Sequence, residues 1–178
     1  IEKAGTPTMG GVLILSSILV SVFIWSDLKN IFIWITLLST ISFGLIGLVD
    51  DYIKIRSLKN DGLNASTRIL VQSLLGFIIV YLIYSFLPQE FNTVISFPFF
   101  KNFLLDLGVF FIPFGIFLII GSANAVNLTD GLDGLATVPV MLVALTFSII
   151  CYVVGNTVFS NYLQIPFISN VGEISVFC

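Results

Sequence analysis

Histidine is absent from the 178 residues, so no imidazole of this chain serves as a general base or metal ligand. Cysteine is scarce: Cys151 and Cys178 both sit in apolar surroundings and do not suggest a disulfide framework. Charge is scarcer than a water-facing surface needs. Seven Lys or Arg and ten Asp or Glu make up 10% of the chain, against roughly a quarter in soluble domains. That shortage excludes a soluble globular protein, a disordered one, and a nucleic-acid binder that needs a basic stripe. Apolar surface is what the chain has in plenty, at 57% hydrophobic residues and a mean hydropathy of +1.10. An all-α polytopic membrane protein is the class that remains.

A helix needs about 20 mostly apolar residues to cross the hydrocarbon core. Runs of that kind predict spans near residues 9–26, 31–49, 69–87, 107–123 and 135–154, with a sixth beginning near 171 and cut off at 178. They form one integral-membrane domain of five to six helices. The isoleucine at position 1 and the abrupt end of the last apolar stretch lead us to expect a piece of a longer protein. Residues 91–100 are uncharged but short and contain Pro98, so they read as an interfacial loop.

The linkers alternate sides. One side receives residues 1–8, 50–68 and 124–133, and the other receives 27–30, 88–106 and 155–170. Lys3, Lys54, Arg56, Lys59 and Arg68 fall on the first side, and only Lys29 and Lys101 on the second. By the positive-inside rule the first side faces the cytoplasm. The unusual polar segments lie there too. The spans carry almost no ionisable residues, which argues against a buried proton relay or voltage sensor.

Three polar segments converge on that side. Lys3-Ala4-Gly5-Thr6-Pro7-Thr8-Met9-Gly10-Gly11 leads into the first span. A helix start with free N–H groups, two Thr hydroxyls and a Lys suits an anion such as a diphosphate. Alone, it is better explained as a capped helix start. Next, Asp50 and Asp51 close a span at the end where the helix dipole is negative. Lys54 reaches the same face at i+4 and i+3, and a divalent metal would neutralise the pair more fully. The plainer reading is a solvated helix end, and the opposing dipole and like charges tilt the balance toward metal or phosphate chemistry. Finally, Asn124, Asn127, Asp130 and Asp133 recur every third residue, with Gly131 and Gly134 among them. On a continuing helix they form one polar stripe. A turn explains Asx and Gly residues, but four spaced Asx residues exceed what a turn needs. The spacing does not fit an EF-hand. Two sequons, Asn64-Ala65-Ser66 and Asn127-Leu128-Thr129, fall on the cytoplasmic side and are discounted.

Together these segments suggest a site for a soluble, phosphorylated substrate with a divalent cation. Mg²⁺ is the natural choice, because it binds carboxylates jointly with substrate phosphates. A transporter or channel gated by the cytoplasmic Asp residues is the alternative from another class. It would need ionisable or broken-helix positions near the midplane, for which Pro113 and Gly115 are weak candidates.

The segment 3–11, then Asp50-Asp51-Tyr52-Ile53-Lys54, then residues 124–136 resemble the phospho-N-acetylmuramoyl-pentapeptide-transferase family in order and sidedness. That family belongs to the polyprenyl-phosphate N-acetylhexosamine-1-phosphate transferases, and the resemblance runs over essentially the whole chain. A sister enzyme acting on another UDP-N-acetylhexosamine is the alternative within this superfamily. The resemblance implies a ten-helix, Mg²⁺-dependent phosphoglycosyl transferase of the bacterial inner membrane. Such an enzyme works as a homodimer with its active site facing the cytoplasm. It moves phospho-MurNAc-pentapeptide from UDP-MurNAc-pentapeptide to undecaprenyl phosphate, giving lipid I and UMP. Carried over residue by residue, Asp50 and Asp51 match the catalytic pair, with Lys54 beside it, and the pair is a candidate Mg²⁺ ligand. Lys3 and Thr8 match positions near the nucleotide and diphosphate. Asn127 and Asp130 match polar active-site residues, and Gly131, Leu132 and Asp133 match positions implicated in the uridine pocket. The family's principal Mg²⁺-binding Asp and its His-rich loop would lie beyond Cys178. These 178 residues alone are therefore expected to lack transferase activity.

Overall fold

The computed structural model describes residues 10–57, 62–97, 100–129 and 135–178. Lys3, Thr8, Asp130, Gly131, Leu132 and Asp133 lie outside the described residues. Seven α-helices are found among those described: α1 (Gly10–Trp25), α2 (Ile31–Ser57), α3 (Ala65–Phe86), α4 (Phe111–Thr129), α5 (Thr137–Val154), α6 (Thr157–Leu163) and α7 (Ile174–Phe177). A short antiparallel hairpin joins α3 to α4, with strands β1 (Val94–Phe97) and β2 (Phe100–Asp106).

Among the described residues, four helical stretches are long and apolar enough to cross a membrane: Ile31–Lys54, Ala65–Phe86, Gly108–Thr129 and Thr137–Val154. The all-α polytopic expectation therefore holds. The first expected span, 9–26, falls on α1, whose described part is Gly10–Trp25. Where a truncated sixth span was expected, a 3-10 turn at Val171–Glu173 leads into the four-residue α7. Large side chains such as Phe117, Val138, Met141 and Leu145 are exposed, as helices facing lipid require rather than helices packed in water.

Local signals set the helix ends. Asn30 accepts the Phe32 N–H at 2.9 Å at the start of α2, Asn64 caps α3 through Ser66, and Asn156 caps α6 through Val158 and Phe159. Leu87, extended before Pro88, ends α3. Pro113 and Pro139 both lie in first turns, where a missing N–H costs little. Helix α4 therefore runs unbroken, and the transporter reading loses its broken-helix candidate.

The stretch 91–100, read from the sequence as an interfacial loop rather than a crossing, leads into a hairpin. Val94 and Ile95 are β-branched and pair with Asp106 and Leu105. Asp106 closes the pair by accepting the Thr93 hydroxyl at 2.6 Å and the Gly108 N–H at 2.9 Å.

Packing is sequential, α1 on α2, α2 on α3 and α3 on α4, while α7 returns to touch α5, α1 and α2. Val22, Ile33 and Leu37 form a buried cluster, with Ile18, Leu19 and Phe177 against it. One end of the bundle is tied by Asn30, whose Nδ2 donates to the Asn170 carbonyl at 2.6 Å, and by Glu173, which accepts the Asp27 N–H at 3.3 Å. The opposite end carries the candidate site.

Candidate functional site

Helix α2 runs on to Ser57, seven residues past Asp50. The aspartate pair therefore stands about two turns inside the helix rather than at its last residue. This corrects the dipole argument, because the effect falls off within the last turn. Lys54 and Arg56 occupy that last turn, where cations are favoured.

The two carboxylates have different surroundings. Asp50 is buried at 8% exposure. Its Oδ2 pairs with Lys54 Nζ at 2.5 Å, and its Oδ1 accepts the Leu63 N–H at 2.7 Å. Asp51 stands 3.9 Å from Lys54 with about half of its side chain exposed. It lines a narrow cavity of about 310 Å³ between α1 and α2, whose walls include Gly11, Leu15, Gly44 and Gly47.

A larger cavity of about 600 Å³ opens beside the first. Five helices or their caps reach it: Ile14 from α1, Phe43 and Gly47 from α2, Arg68 and Gln72 from α3, Asn127 from α4, and Thr137 from α5. The end of α2, the start of α3, the end of α4 and the start of α5 thus meet at one end of the bundle. Most of the lining is apolar. Arg68, Gln72, Asn127 and Thr137 supply its polar groups. Arg68 Nε is buried with no hydrogen-bond partner among the described residues.

Asn127 faces this cavity because α4 continues through Thr129, so the Asn124–Asn127 part of the expected stripe is helical. Asn124 points its Nδ2 at Gln72 Oε1, 2.8 Å away, and at the Ile120 carbonyl, 2.9 Å away. Gln72 is 2% exposed. From the expected set, the structure thus sets Asp50, Asp51 and Lys54 against one another and places Asn127 on the wall of the adjoining larger cavity. The residues outside the description stay unplaced. Sequence reasoning missed Arg68, Gln72, Thr137, Gly62 and the Leu63 N–H. For Arg68 a signal existed, since a cation standing alone at the head of an apolar run is expensive unless it is used.

No group of three or more Cys, Asp or Glu among the described residues is placed to hold a metal by itself. Mg²⁺ does not require one. It is usually held by one or two carboxylates together with substrate phosphates and water. Asp51, the more exposed of the pair, fits that role; Asp50 is already engaged on both oxygens.

Residues 33–172 match the model of glycosyl transferase family 4. Residues 3–15 match the phospho-N-acetylmuramoyl-pentapeptide-transferase signature 1. Among similar proteins, the phospho-N-acetylmuramoyl-pentapeptide-transferase of Pelagibacter ubique is 51% identical over 178 residues, covering 100% of this chain and 49% of the relative. That of Rickettsia prowazekii is 48% identical over 176 residues, covering 99% and 48%. That of Oleidesulfovibrio alaskensis is 46% identical over 180 residues, covering 100% and 49%. The chain spans about half the length of the curated relatives it matches. An end-to-end likeness of this strength, with a signature at the head of the chain and a paired carboxylate beside a shared cavity, shows that the chain belongs to glycosyl transferase family 4, in the branch marked by the phospho-N-acetylmuramoyl-pentapeptide-transferase signature.

Proposed function

We propose that the intact protein transfers phospho-MurNAc-pentapeptide from UDP-MurNAc-pentapeptide to undecaprenyl phosphate at the cytoplasmic face of the bacterial inner membrane, giving lipid I and UMP. The observation that carries this reading is that Asp51, paired with Lys54, lines one cavity while Arg68 and Asn127 line the cavity adjoining it, at one end of an apolar bundle. A soluble anionic nucleotide and a membrane-embedded phosphate can both reach such a place.

An oxygen of the acceptor phosphate attacks the sugar-bearing phosphorus of the donor. The P–O bond to UMP breaks, and the electron pair leaves with UMP. The acceptor is a phosphate monoester with a second pKa of about 6, so near neutrality it is already mostly a dianion. A strong base is not required. The harder task is bringing one anion against another, so cationic groups that offset the developing charge contribute most. Lys54 and Arg68 supply fixed positive charge on two helices, and Lys3 adds a third from the first motif. Asn127 offers amide donor and acceptor atoms to the nucleotide. Asp51 would hold Mg²⁺, which when bound supplies Lewis-acid charge to the diphosphate. Direct displacement needs fewer steps than an aspartyl-phosphate route.

The test is lipid I formation by the purified intact protein with UDP-MurNAc-pentapeptide, a polyprenyl phosphate and Mg²⁺. Asp51→Asn should abolish most turnover while leaving binding of the UDP donor nearly intact. Near-normal turnover by that variant would remove Asp51 from the chemistry. Preference for UDP-N-acetylglucosamine as donor would move the protein to the sister branch.

A further inference from the structure

Asp50 owes its placement to a backbone approach. The Leu63 N–H reaches its Oδ1 at 2.7 Å across the connection from α2 to α3. That approach depends on the absence of a side chain at residue 62. A Cβ on Gly62 would overlap Asp50 Oδ1 and stand 2.8 Å from both Asp50 Cγ and Lys54 Cε. Real Cβ atoms essentially never come that close to neighbouring heavy atoms, and since the atoms met are the far ends of two flexible side chains, it is the Asp50 carboxylate and the Lys54 stem that would have to move. What a side chain at this position would take is the space that the Asp50 and Lys54 side chains occupy. A carboxylate two turns inside a membrane helix has few routes to neutralisation. Here one oxygen takes a lysine ammonium and the other takes a backbone N–H.

We infer that Gly62 is a positioning residue. Its bare Cα lets the connection clamp Asp50 against Lys54, and so fixes the ammonium that Asp51 and the substrate diphosphate share. This rests on the transferase reading for its catalytic consequence, and on geometry alone for its structural one. The Gly62→Ala variant of the intact protein is the direct probe. It should lower kcat at least about tenfold and change KM for UDP-MurNAc-pentapeptide by less than about twofold, the signature of a lost transition-state interaction. A rise in KM with kcat unchanged, or unaltered kinetics, would overturn the inference.

A thermal double-mutant cycle keeps the question open to decision if Gly62→Ala is poorly folded. In an Asp50→Ala background the overlapping carboxylate is gone and Lys54 has lost its anchor, so adding Gly62→Ala should lower the unfolding midpoint less than it does in the parent. In the parent background it should lower the midpoint. Equal losses in both backgrounds would show that Gly62 does not act through Asp50. Failure of the unsubstituted protein to make lipid I would defeat the transferase reading, while the thermal cycle still decides on Gly62.

Discussion

The hydrogen bond between Asn124 and Gln72 gives the sharpest quantitative test of how this bundle is held. Asn124 Nδ2 donates to Gln72 Oε1 at 2.8 Å and to the carbonyl of Ile120, one turn back, at 2.9 Å. Asn124→Ala removes both donations and leaves the Gln72 carbonyl, on a side chain only 2% exposed, without this partner. Stranding a buried acceptor costs roughly 1–3 kcal/mol. Gln72→Leu is milder, because Asn124 keeps its bond to Ile120. Inside a bilayer the interaction itself is worth less than in a water-soluble core, averaging about 0.6 kcal/mol with a maximum near 1.7.

The expected order of destabilisation is therefore Asn124→Ala above Gln72→Leu. The double variant should lose less than the sum of the singles, by about 0.6–1.7 kcal/mol. Reversible unfolding of the intact protein in mixed micelles, titrated with a denaturing detergent and followed by helix content, measures all three. Additivity within about 0.5 kcal/mol would refute a direct bond. So would Gln72→Leu proving the costlier single. A functional consequence follows from register. Asn127 lies one turn beyond Asn124 and Arg68 one turn before Gln72, and both line the larger cavity. Loosening the clamp should therefore weaken donor binding without altering the acceptor's KM.

Small residues at the α3–α4 contact make opposite predictions. A Cβ on Gly115 would lie 2.9 Å from both γ-methyl carbons of Val80, and overpacking of this kind costs about 1–3 kcal/mol. A Cβ on Gly76 meets Ile116 Cγ2 at an ordinary 3.6 Å, so Gly76→Ala should gain up to about 1 kcal/mol of helix propensity. Thermal midpoints should rank Gly76→Ala above Gly115→Ala, and the reverse order would show that the helices are spaced differently. At the hairpin, the Thr93 hydroxyl and then the Gly108 N–H hold the Asp106 carboxyl below the usual carboxylate range. A depressed folded value means the contribution is full above the ordinary carboxylate pKa, about 4, and is lost as pH falls through the lowered one. The protection of the Gly108 amide, its exchange rate relative to the intrinsic rate at each pH, should therefore be flat near neutrality and fall only in strong acid. Thr93→Val should move that onset to higher pH, and an unmoved onset would remove Thr93 as the cause.

The hydropathy of the sequence located the long helices because lipid leaves the backbone no alternative: a long apolar run must satisfy its own N–H and C=O groups. The Asp50-Asp51 motif was legible for a related reason, since two adjacent carboxylates at a span end need an explanation. What could not be read is what approaches from elsewhere in the chain. The Leu63 N–H that engages Asp50 is a backbone group with no sequence signature, and Gly62 looks like any turn glycine. Arg68 and Gln72 are single polar residues in an apolar run, and only their sharing of a cavity with Asn127 gives them a role. Pro98 made 91–100 read as a loop, whereas Val94 and Ile95 pair along β2 as β-branched residues do.

Neighbouring positions on a helix are turned by roughly 100°, and that rotation separates the two aspartates. Asp50 is directed to the connection before α3, where a backbone donor and Lys54 meet it. Asp51 is directed to the groove against α1. Lys54 is held tightly by the first carboxylate and stands 3.9 Å from the second. One ammonium cannot neutralise two carboxylates, and it is placed to favour Asp50. Asp51 is left as a negative charge with only partial compensation, beside a groove of glycines that lets a ligand come close to the helix backbone. Under the proposed transferase reading, a cation arriving with the substrate would offset that deficit. On the proposed reading that Asp51 holds Mg²⁺, Asp51→Asn should raise the Mg²⁺ concentration needed for half-maximal residual turnover far more than Asp50→Asn does. Equal Mg²⁺ dependence in the two variants would mean that the carboxylates share the ion and that the asymmetry around Lys54 has no part in recruiting it.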